Sequence, residues 1–575
     1  AQDDEDVLEQ GYDEMPRPTI DLSEWHDDKN FGEHNSKNET NKFRSIELQN
    51  KDMLLAVTKT LVPEQRVVLQ KVLDMAKTTV QCSKSNLARD APLKMGLILH
   101  GGGGVGKSKT IQVCAQWAEQ ILRQAGGDPD KPRVLLMCPT GMAASVIDGM
   151  TICSALKLNF GHSYNGLDDQ SLAHFRTEFE ELKLIIIDEM SMVGADNLYK
   201  IHHRLIDIFN NNLPFGGLSI MFVGDMLQLK PVKARFIFEV PTNEDNALCY
   251  HENSLWHSLE AITLKHNHRQ GEGSEFMETL NRMRTGDQNE NDVKLLRTRC
   301  IKKLSKKFPH DAVNLFYTNN EVKDHNIMKL NQLKTKLYNI KYMGDYPSTY
   351  KPTISKHGTV DDTNLCQNLR IKVGARVMVV MNVNTMDSLV NGMIGVVLDI
   401  ITDETNGKVK CIIVKFDSEK VGADQRKKHS HIADKYKEDN GTPIFRQKVR
   451  YHLTGAGKKV HAITGTCFQF PLKLAFAITG HKMQGQTIKT GSKLVVNWSN
   501  ILPSGLAYVM CSRTESIDDL YIAGQFNPKK IQANPKALKE AKRLDEISLA
   551  NRPETTSPLN QLIGFGFVNI RSLNA

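Results

Sequence analysis

Between a short apolar run, Leu97 to His100, and a helically patterned segment from Lys107 to Ala125, the chain reads Gly101-Gly102-Gly103-Gly104-Val105-Gly106-Lys107-Ser108. No other feature restricts the fold as much. The spacing GxxxxGK[ST], after a strand and opening a helix, is what a backbone needs to wrap a phosphate. The glycines let N–H groups approach the anion, and the helix N-terminus adds positive potential. Lys107 then reaches the β/γ phosphates, and the Ser108 hydroxyl can ligate magnesium. A purely structural glycine turn would not need the Lys-Ser pair.

Further apolar runs at Val134 to Met137, Leu184 to Ile187 and Ser219 to Val223 alternate with helical or irregular segments, the pattern of an α/β domain with a parallel sheet. The second of these ends in paired carboxylates. Asp188 is expected to hold magnesium through its water shell, and Glu189 to polarise an attacking water, because in-line phosphoryl transfer needs neutralised charge and a positioned nucleophile. The next run ends in Gly224-Asp225-Met226-Leu227-Gln228, from which Gln228 can sense a γ-phosphate.

A chain of 575 residues is expected to form about four compact units. Residues 1–50 mix acidic runs with Pro16, Pro18 and many Asn, and read as an acidic, disordered tail. Residues 51–255 read as a first α/β domain carrying the glycine loop, with a small insertion near 156–181 that contains Phe160 and Tyr164. Residues 256–380 and 466–528 read as a second α/β domain, with Val313 to Tyr317 and Ala375 to Val380 as strands. Residues 381–465 read as an inserted β module, because Val396 to Ile401 and Lys408 to Phe416 flank a turn with Asp403 and Gly407. Residues 529–575 read as a C-terminal tail.

Hydrophobic residues at 40% and charged residues at 24% exclude a wholly disordered or fibrous chain. No run of about 18 apolar residues occurs, so no helical membrane span is expected. The ten Cys include no CxxC pair, which indicates neither a zinc ribbon nor a disulfide framework and fits a reducing, intracellular setting. The opening Ala1, followed by acidic residues, reads as neither a signal nor a transit peptide, and suits a piece of a longer chain. The net charge is +8, yet the first fifty residues carry 14 acidic and 5 basic side chains, leaving +17 for the remainder. A basic body suits a polyanionic partner, since Lys and Arg neutralising phosphates drive nucleic-acid association.

The order of motifs resembles that of the petite-integration-frequency family of superfamily 1B DNA helicases over roughly residues 60–525. Besides the glycine loop, the resemblance rests on Pro139-Thr140-Gly141-Met142-Ala143-Ala144 with Gly149 and Thr151, on Asp188-Glu189-Met190-Ser191-Met192, and on Gly224-Asp225 with Gln228 and Pro231. It continues through Asn267-His268-Arg269-Gln270, Val390-Asn391-Gly392, the stretch from Ala475 to Thr487 with His481, Lys482 and Gly485, and Tyr508-Val509-Met510-Cys511-Ser512-Arg513. It departs from the family pattern at Met142, Cys153, Gly480 and Met483, a drift similar to that of helicase domains in Helitron-type transposons.

The resemblance implies two RecA-like P-loop domains with parallel sheets plus a small inserted SH3-like β module. It implies ATP as nucleotide with Mg2+, and Gln65 as the adenine-reading glutamine. Arg269 and Arg513, from the second domain, would be arginine fingers whose charge completes the site only when the domains close. Thr140, Thr151, His481 and Lys482 would line a single-strand track, holding the backbone without reading sequence, and residues 156–181 would form a duplex-splitting pin. The implied activity is a 5′-to-3′ DNA helicase acting on single-stranded DNA and on forked or tailed duplexes, monomeric when free. Its implied setting is the nucleus or mitochondrion, with roles in repair, recombination, telomere maintenance or rolling-circle transposition. Two rivals remain from the residues alone. A GTPase would show an Asn-Lys-x-Asp reader, which is missing, and a non-hydrolysing nucleic-acid clamp would not need Lys107, Glu189 and Arg513 together.

Overall fold

The structure is a computed structural model that describes residues 43, 45–84, 95–160, 163–241, 254–265, 274–302 and, with short gaps, 308–550. The chain divides into two compact units, one of residues 41–295, 503–516 and 528 onward, the other of 296–502 and 517–527.

The first unit is built on β1 (Gly96–Gly101), β2 (Val134–Cys138), β3 (Met150–Thr151), β4 (Leu184–Ile187), β5 (Ser219–Gly224) and β6 (Glu260–Leu264). They lie in the order β3-β2-β4-β5-β1-β6, and every pairing is parallel. A parallel sheet is covered on both faces, so its strands read as unbroken apolar runs rather than alternating ones. Residues along β1 still alternate in direction. Leu97 and Leu99 join a core with the helices Pro63–Lys84 and Lys107–Leu122, whereas Ile98 joins the opposite core with the helix Ala195–Phe209. That last helix buries Leu198, Ile201, Leu205 and Ile208, a stripe at helical spacing. Each fully buried Leu or Ile contributes about 1.5–3 kcal/mol.

Register fixes what meets at the sheet's edge. His100 pairs with Gly224, and Ile187 with Phe222, so the residues following β1, β4 and β5 emerge together at the carboxyl ends. In open α/β sheets that edge is where ligands bind.

Several boundaries differ from those expected. β6 lies beyond the first domain's expected end at 255, because it adds to β1 as an edge strand, and the helix Glu275–Thr285 follows within the same unit. Residues 535–550 are not a tail but the helix Pro535–Ala550, packed on β6 with Leu544 fully buried. Trp256 Nε1 donates to Glu540 Oε1 at 2.7 Å, and Thr263 N to Ser548 Oγ at 2.9 Å. Within the expected N-terminal tail, Phe43 is buried edge-on against Phe179; residues 1–42 lie outside the described residues.

In the 156–181 stretch the helix Asp169–Glu178 forms, and Phe160 and Tyr164 are partly buried against the core beneath it. The Tyr164 hydroxyl bonds Asp207, and the Arg204 guanidinium sits 5.2 Å from its ring centre.

The second unit holds a five-stranded parallel sheet, in the order Ala477–Thr479, Val313–Phe316, Leu494–Asn497, Leu520–Ala523 and Cys300–Ile301. Its inserted module is larger than 381–465. Arg376–Val379, expected in the parallel sheet, instead pairs antiparallel with Ile394–Thr402 and with Leu472–Leu474. Four-residue apolar strands carry no mark of which sheet they join, and here antiparallel neighbours bury Val377 and Val379. The expected hairpin forms between Ile394–Thr402 and Val409–Phe416, closed by Gly407 N donating to Asp403 O at 2.9 Å.

Candidate active site

The glycine loop leaves β1 and turns into the helix Lys107–Leu122 through two left-handed residues, Gly104 at φ 86° and Gly106 at φ 79°. A side chain at either would strain the turn that aims the loop's amides inward. Gly106 caps the helix without a side-chain bond, so the first-turn N–H groups remain for an anion. Lys107 Nζ folds back onto Gly101 O at 2.9 Å and Gly102 O at 2.8 Å. Burial lowers the lysine's pKa, while Asp225, Glu189 and Asp188 draw it up.

At the end of β4, Asp188 is buried and its Oδ1 accepts the Glu189 amide at 2.8 Å. Glu189 takes a left-handed φ of 55°, which turns its side chain out of the strand's line. Its Oε2 is buried without a hydrogen-bond partner among the described residues, and so is Gln228 Oε1. Burial and the Glu189 charge push the Asp188 carboxyl up to about 7.

These residues fit a magnesium nucleotide. Two adjacent carboxylates lie within electrostatic reach of Lys107, one pushed up by burial and its neighbour and one with an orphaned oxygen, a donor set a divalent cation would satisfy. No cluster of three or more His, Cys, Asp or Glu forms a metal cage among the described residues. Magnesium keeps waters and phosphate oxygens around one or two protein ligands, a role open to Asp188 and the Ser108 hydroxyl.

A second cluster adjoins the loop, and sequence reading assigned it no role. Asp225 is fully buried and takes a fork from Arg284, with Nε 3.0 Å from both oxygens and Nη2 2.8 Å from Oδ1. Burial alone would raise this carboxyl, but the guanidinium overcomes it and holds Asp225 down at about 2. Arg284 Nη2 also lies 3.0 Å from His100 Nε2. Since a guanidinium only donates, that nitrogen accepts, while the Met226 amide approaches the ring's Nδ1 at 3.5 Å. Burial, then Arg284, push His100 down to about 3, so it is neutral. Tyr508 Oη accepts the Gly103 amide at 3.0 Å and stands 3.3 Å from Asp225 Oδ2.

The other expected site residues are distributed as follows. Gln65 is fully buried, its Nε2 donating to Val105 O at 3.1 Å and its Oε1 accepting Val62 N at 3.1 Å, so the amide ties the helix Pro63–Lys84 to the glycine loop. Thr140 and Thr151 cap the helices Gly141–Val146 and Ile152–Leu156, their hydroxyls accepting from Ala143 N and Ser154 N. Arg513 is buried within the same unit as the loop rather than in the unit of the second parallel sheet. Its Nε donates to Val509 O at 2.7 Å and its Nη2 to Ser512 Oγ at 2.8 Å. His481 and Lys482 belong to the other unit, in the turn Gly480–Met483, with Gly485 left-handed just beyond. Burial pushes His481 down to about 4. Arg269 lies outside the described residues.

A glycine loop joining strand to helix on a parallel sheet, with an acidic pair ending the next strand but one, defines a P-loop nucleotide-binding protein with RecA-like α/β architecture. Residues 88–294 match the family model described as PIF1-like helicase. The chain is 27% identical over 504 residues to the ATP-dependent DNA helicase Rrm3 of Saccharomyces cerevisiae, covering 78% of this chain and 65% of that one. It is 28% identical over 451 residues to the ATP-dependent DNA helicase Pif1 of Campylobacter jejuni, covering 76% and 89%. The crystal structure of Candida albicans Pif1 superposes with a TM-score of 0.60 at 25% identity, covering 84% of this chain and 99% of that one. The Bacteroides Pif1 structure with ADP-AlF3 and single-stranded DNA gives 0.57 at 22% identity, covering 81% and 96%. The chain is thus similar to the Pif1 and Rrm3 helicases, and it spans less than two thirds of the length of several of them, 55% for the Candida albicans protein. No described helix is long and apolar enough to cross a membrane.

Proposed function

We propose that this chain is an ATP-dependent DNA helicase that translocates 5′-to-3′ on single-stranded DNA and unwinds forked or tailed duplexes. The observation that carries the reading is Glu189 Oε2, buried beside Asp188 without a partner among the described residues, at the sheet edge where Lys107 waits on carbonyls it can exchange for phosphate oxygens. Relatives named as ATP-dependent DNA helicases support the substrate, and the basic body of the chain supports a polyanionic track.

In this reading Lys107 leaves Gly101 O and Gly102 O to neutralise the β/γ phosphates. Ser108 and Asp188 would hold a magnesium ion, which would supply charge neutralisation during phosphoryl transfer. Glu189 Oε2 accepts a hydrogen bond from the attacking water and aligns it, and Gln228 Oε1 accepts the water's other hydrogen. Gln65 has to trade one of its loop partners to read an adenine edge. Arg513 releases Val509 O and Ser512 Oγ to meet the charge that develops in the transition state, and Arg269 is assigned the same task. Thr140, Thr151, His481 and Lys482 contact the DNA backbone. His481 does so as a neutral N–H donor. Motion follows if ATP, ADP and empty states favour different arrangements of the two units, so that their grips on the strand alternate. We assign the work to nuclear or mitochondrial DNA maintenance or to rolling-circle transposition.

Strand displacement on 5′-tailed and 3′-tailed duplexes, with and without ATP, tests this directly. Displacement of the 5′-tailed substrate alone, dependent on ATP, is expected. Tight DNA binding without turnover would replace the motor by a clamp.

A further inference from the structure

Tyr508 lies in the short helix Leu506–Cys511 and is 3% exposed, so its hydroxyl must find partners inside the protein. It finds two. The oxygen accepts the Gly103 N–H at 3.0 Å and stands 3.3 Å from Asp225 Oδ2, to which its own hydrogen points as the only donor between them. Asp225 is in turn immobilised by the Arg284 fork. The phenol is therefore held over one amide of the glycine loop by a carboxylate that cannot turn away.

The position of that amide matters. Lys107 Nζ sits on Gly101 O and Gly102 O, which places Gly103 at the end of the loop the lysine serves, and a P-loop lysine serves the β/γ phosphates. A Cβ on Gly103 would stand 3.5 Å from Tyr508 Oη, so the hydroxyl occupies the space directly above this backbone. A terminal phosphate oxygen arriving here would need the same N–H. The far side of Tyr508 is coupled to Arg513 within one helical turn: Ser512 N donates to Tyr508 O at 2.9 Å, and Ser512 Oγ accepts Arg513 Nη2 at 2.8 Å.

The geometry points to Tyr508 as a positioning residue that distinguishes a nucleoside triphosphate from a diphosphate. Its hydroxyl holds the Gly103 N–H until a terminal phosphate oxygen takes that donor, and the exchange releases the helix Leu506–Cys511, whose C-terminal turn carries Arg513. The inference rests on the nucleotide reading proposed above. It adds a cost to triphosphate binding that diphosphate binding escapes, and converts that cost into movement of the arginine.

Tyr508→Phe removes the hydroxyl and keeps the ring. Titration with a non-hydrolysable imido analogue of ATP and with ADP, both with magnesium, should show the analogue's affinity rising roughly three- to tenfold relative to ADP's, the worth of one hydrogen bond no longer broken. Turnover should fall while KM for ATP also falls. Hydrogen exchange at the Gly103 amide should be faster in nucleotide-free Tyr508→Phe than in wild type, and slow again with the analogue. A second measurement keeps the fold untouched: fluorotyrosine placed at 508 should change its fluorine resonance with the analogue and not with ADP. Equal shifts of both affinities, or a fluorine signal that responds equally to both nucleotides, would overturn the inference and leave the helicase reading standing. Failure of the wild-type chain to bind either nucleotide would overturn both.

Discussion

Arg284 reaches across 59 residues of sequence to close a two-pronged salt bridge on Asp225, and both side chains are shut away from water, with 17% and 0% of their surfaces exposed. A carboxylate buried this deeply persists as an anion only because of its partner, so Arg284→Ala leaves an uncompensated charge. We expect a loss of roughly 3–5 kcal/mol in urea-unfolding stability. Arg284→Lys keeps the charge but not the fork geometry, and should lose less. A loss in Arg284→Ala no larger than that of a surface substitution would contradict the pairing.

Glu189→Gln separates binding from chemistry. The amide keeps the side chain's size, so affinity for a magnesium-bound triphosphate should hold within a few fold. The amide aligns water poorly, so DNA-stimulated turnover should drop by roughly 10²-fold or more. Lys107→Ala should weaken phosphate binding and turnover together, the latter by about 10²–10³-fold. Steady-state ATPase assays with single-stranded DNA measure both variants, and unchanged turnover in either would remove that residue from the site.

The parts of this molecule that could be read in advance are those whose physics is local. The strand, glycine loop and helix from Leu97 onward are encoded within about two dozen consecutive residues, as is the hairpin turned at Asp403 and Gly407. The stretch from Ala375 to Val380 read as a strand, but so short a run does not say which sheet will accept it, and Glu260–Leu264 was not singled out as a strand at all. Asp225 and Tyr508 stood inside quoted motifs, yet their link to Arg284 and Gly103 exists only once distant segments are folded together. Nothing in the polar appearance of Arg284, two residues before a helix-ending Gly286, marks it as buried.

The helix Pro535–Ala550 should contribute measurably to stability. Leu544 is fully buried against the sheet, whereas Leu549 on the same helix is 56% exposed. Leu544→Ala should cost about 2–5 kcal/mol by chemical denaturation, and Leu549→Ala within about 0.5 kcal/mol of nothing. Equal effects would mean the helix is not docked as described.

His202 supplies a pH-dependent contribution remote from the phosphate chemistry. Its Nδ1 accepts the Phe215 amide at 3.0 Å, and Phe215 holds a left-handed φ of 54°, so the imidazole braces a strained turn. Burial, then the neighbouring His203, push His202 down to about 4 from an ordinary 6.5. A histidine held neutral in the folded state favours folding fully above pH 6.5; below that the unfolded chain gains a proton the folded one refuses. Stability should therefore decline as pH falls from 6.5 toward 4, by roughly 2–3 kcal/mol from this group. His202→Gln retains an acceptor for Phe215 N without the titration. Urea-unfolding curves of wild type and His202→Gln between pH 7.5 and 4 should diverge over that window, the variant losing less on acidification, and parallel pH profiles would show that His202 is free to protonate in the folded chain.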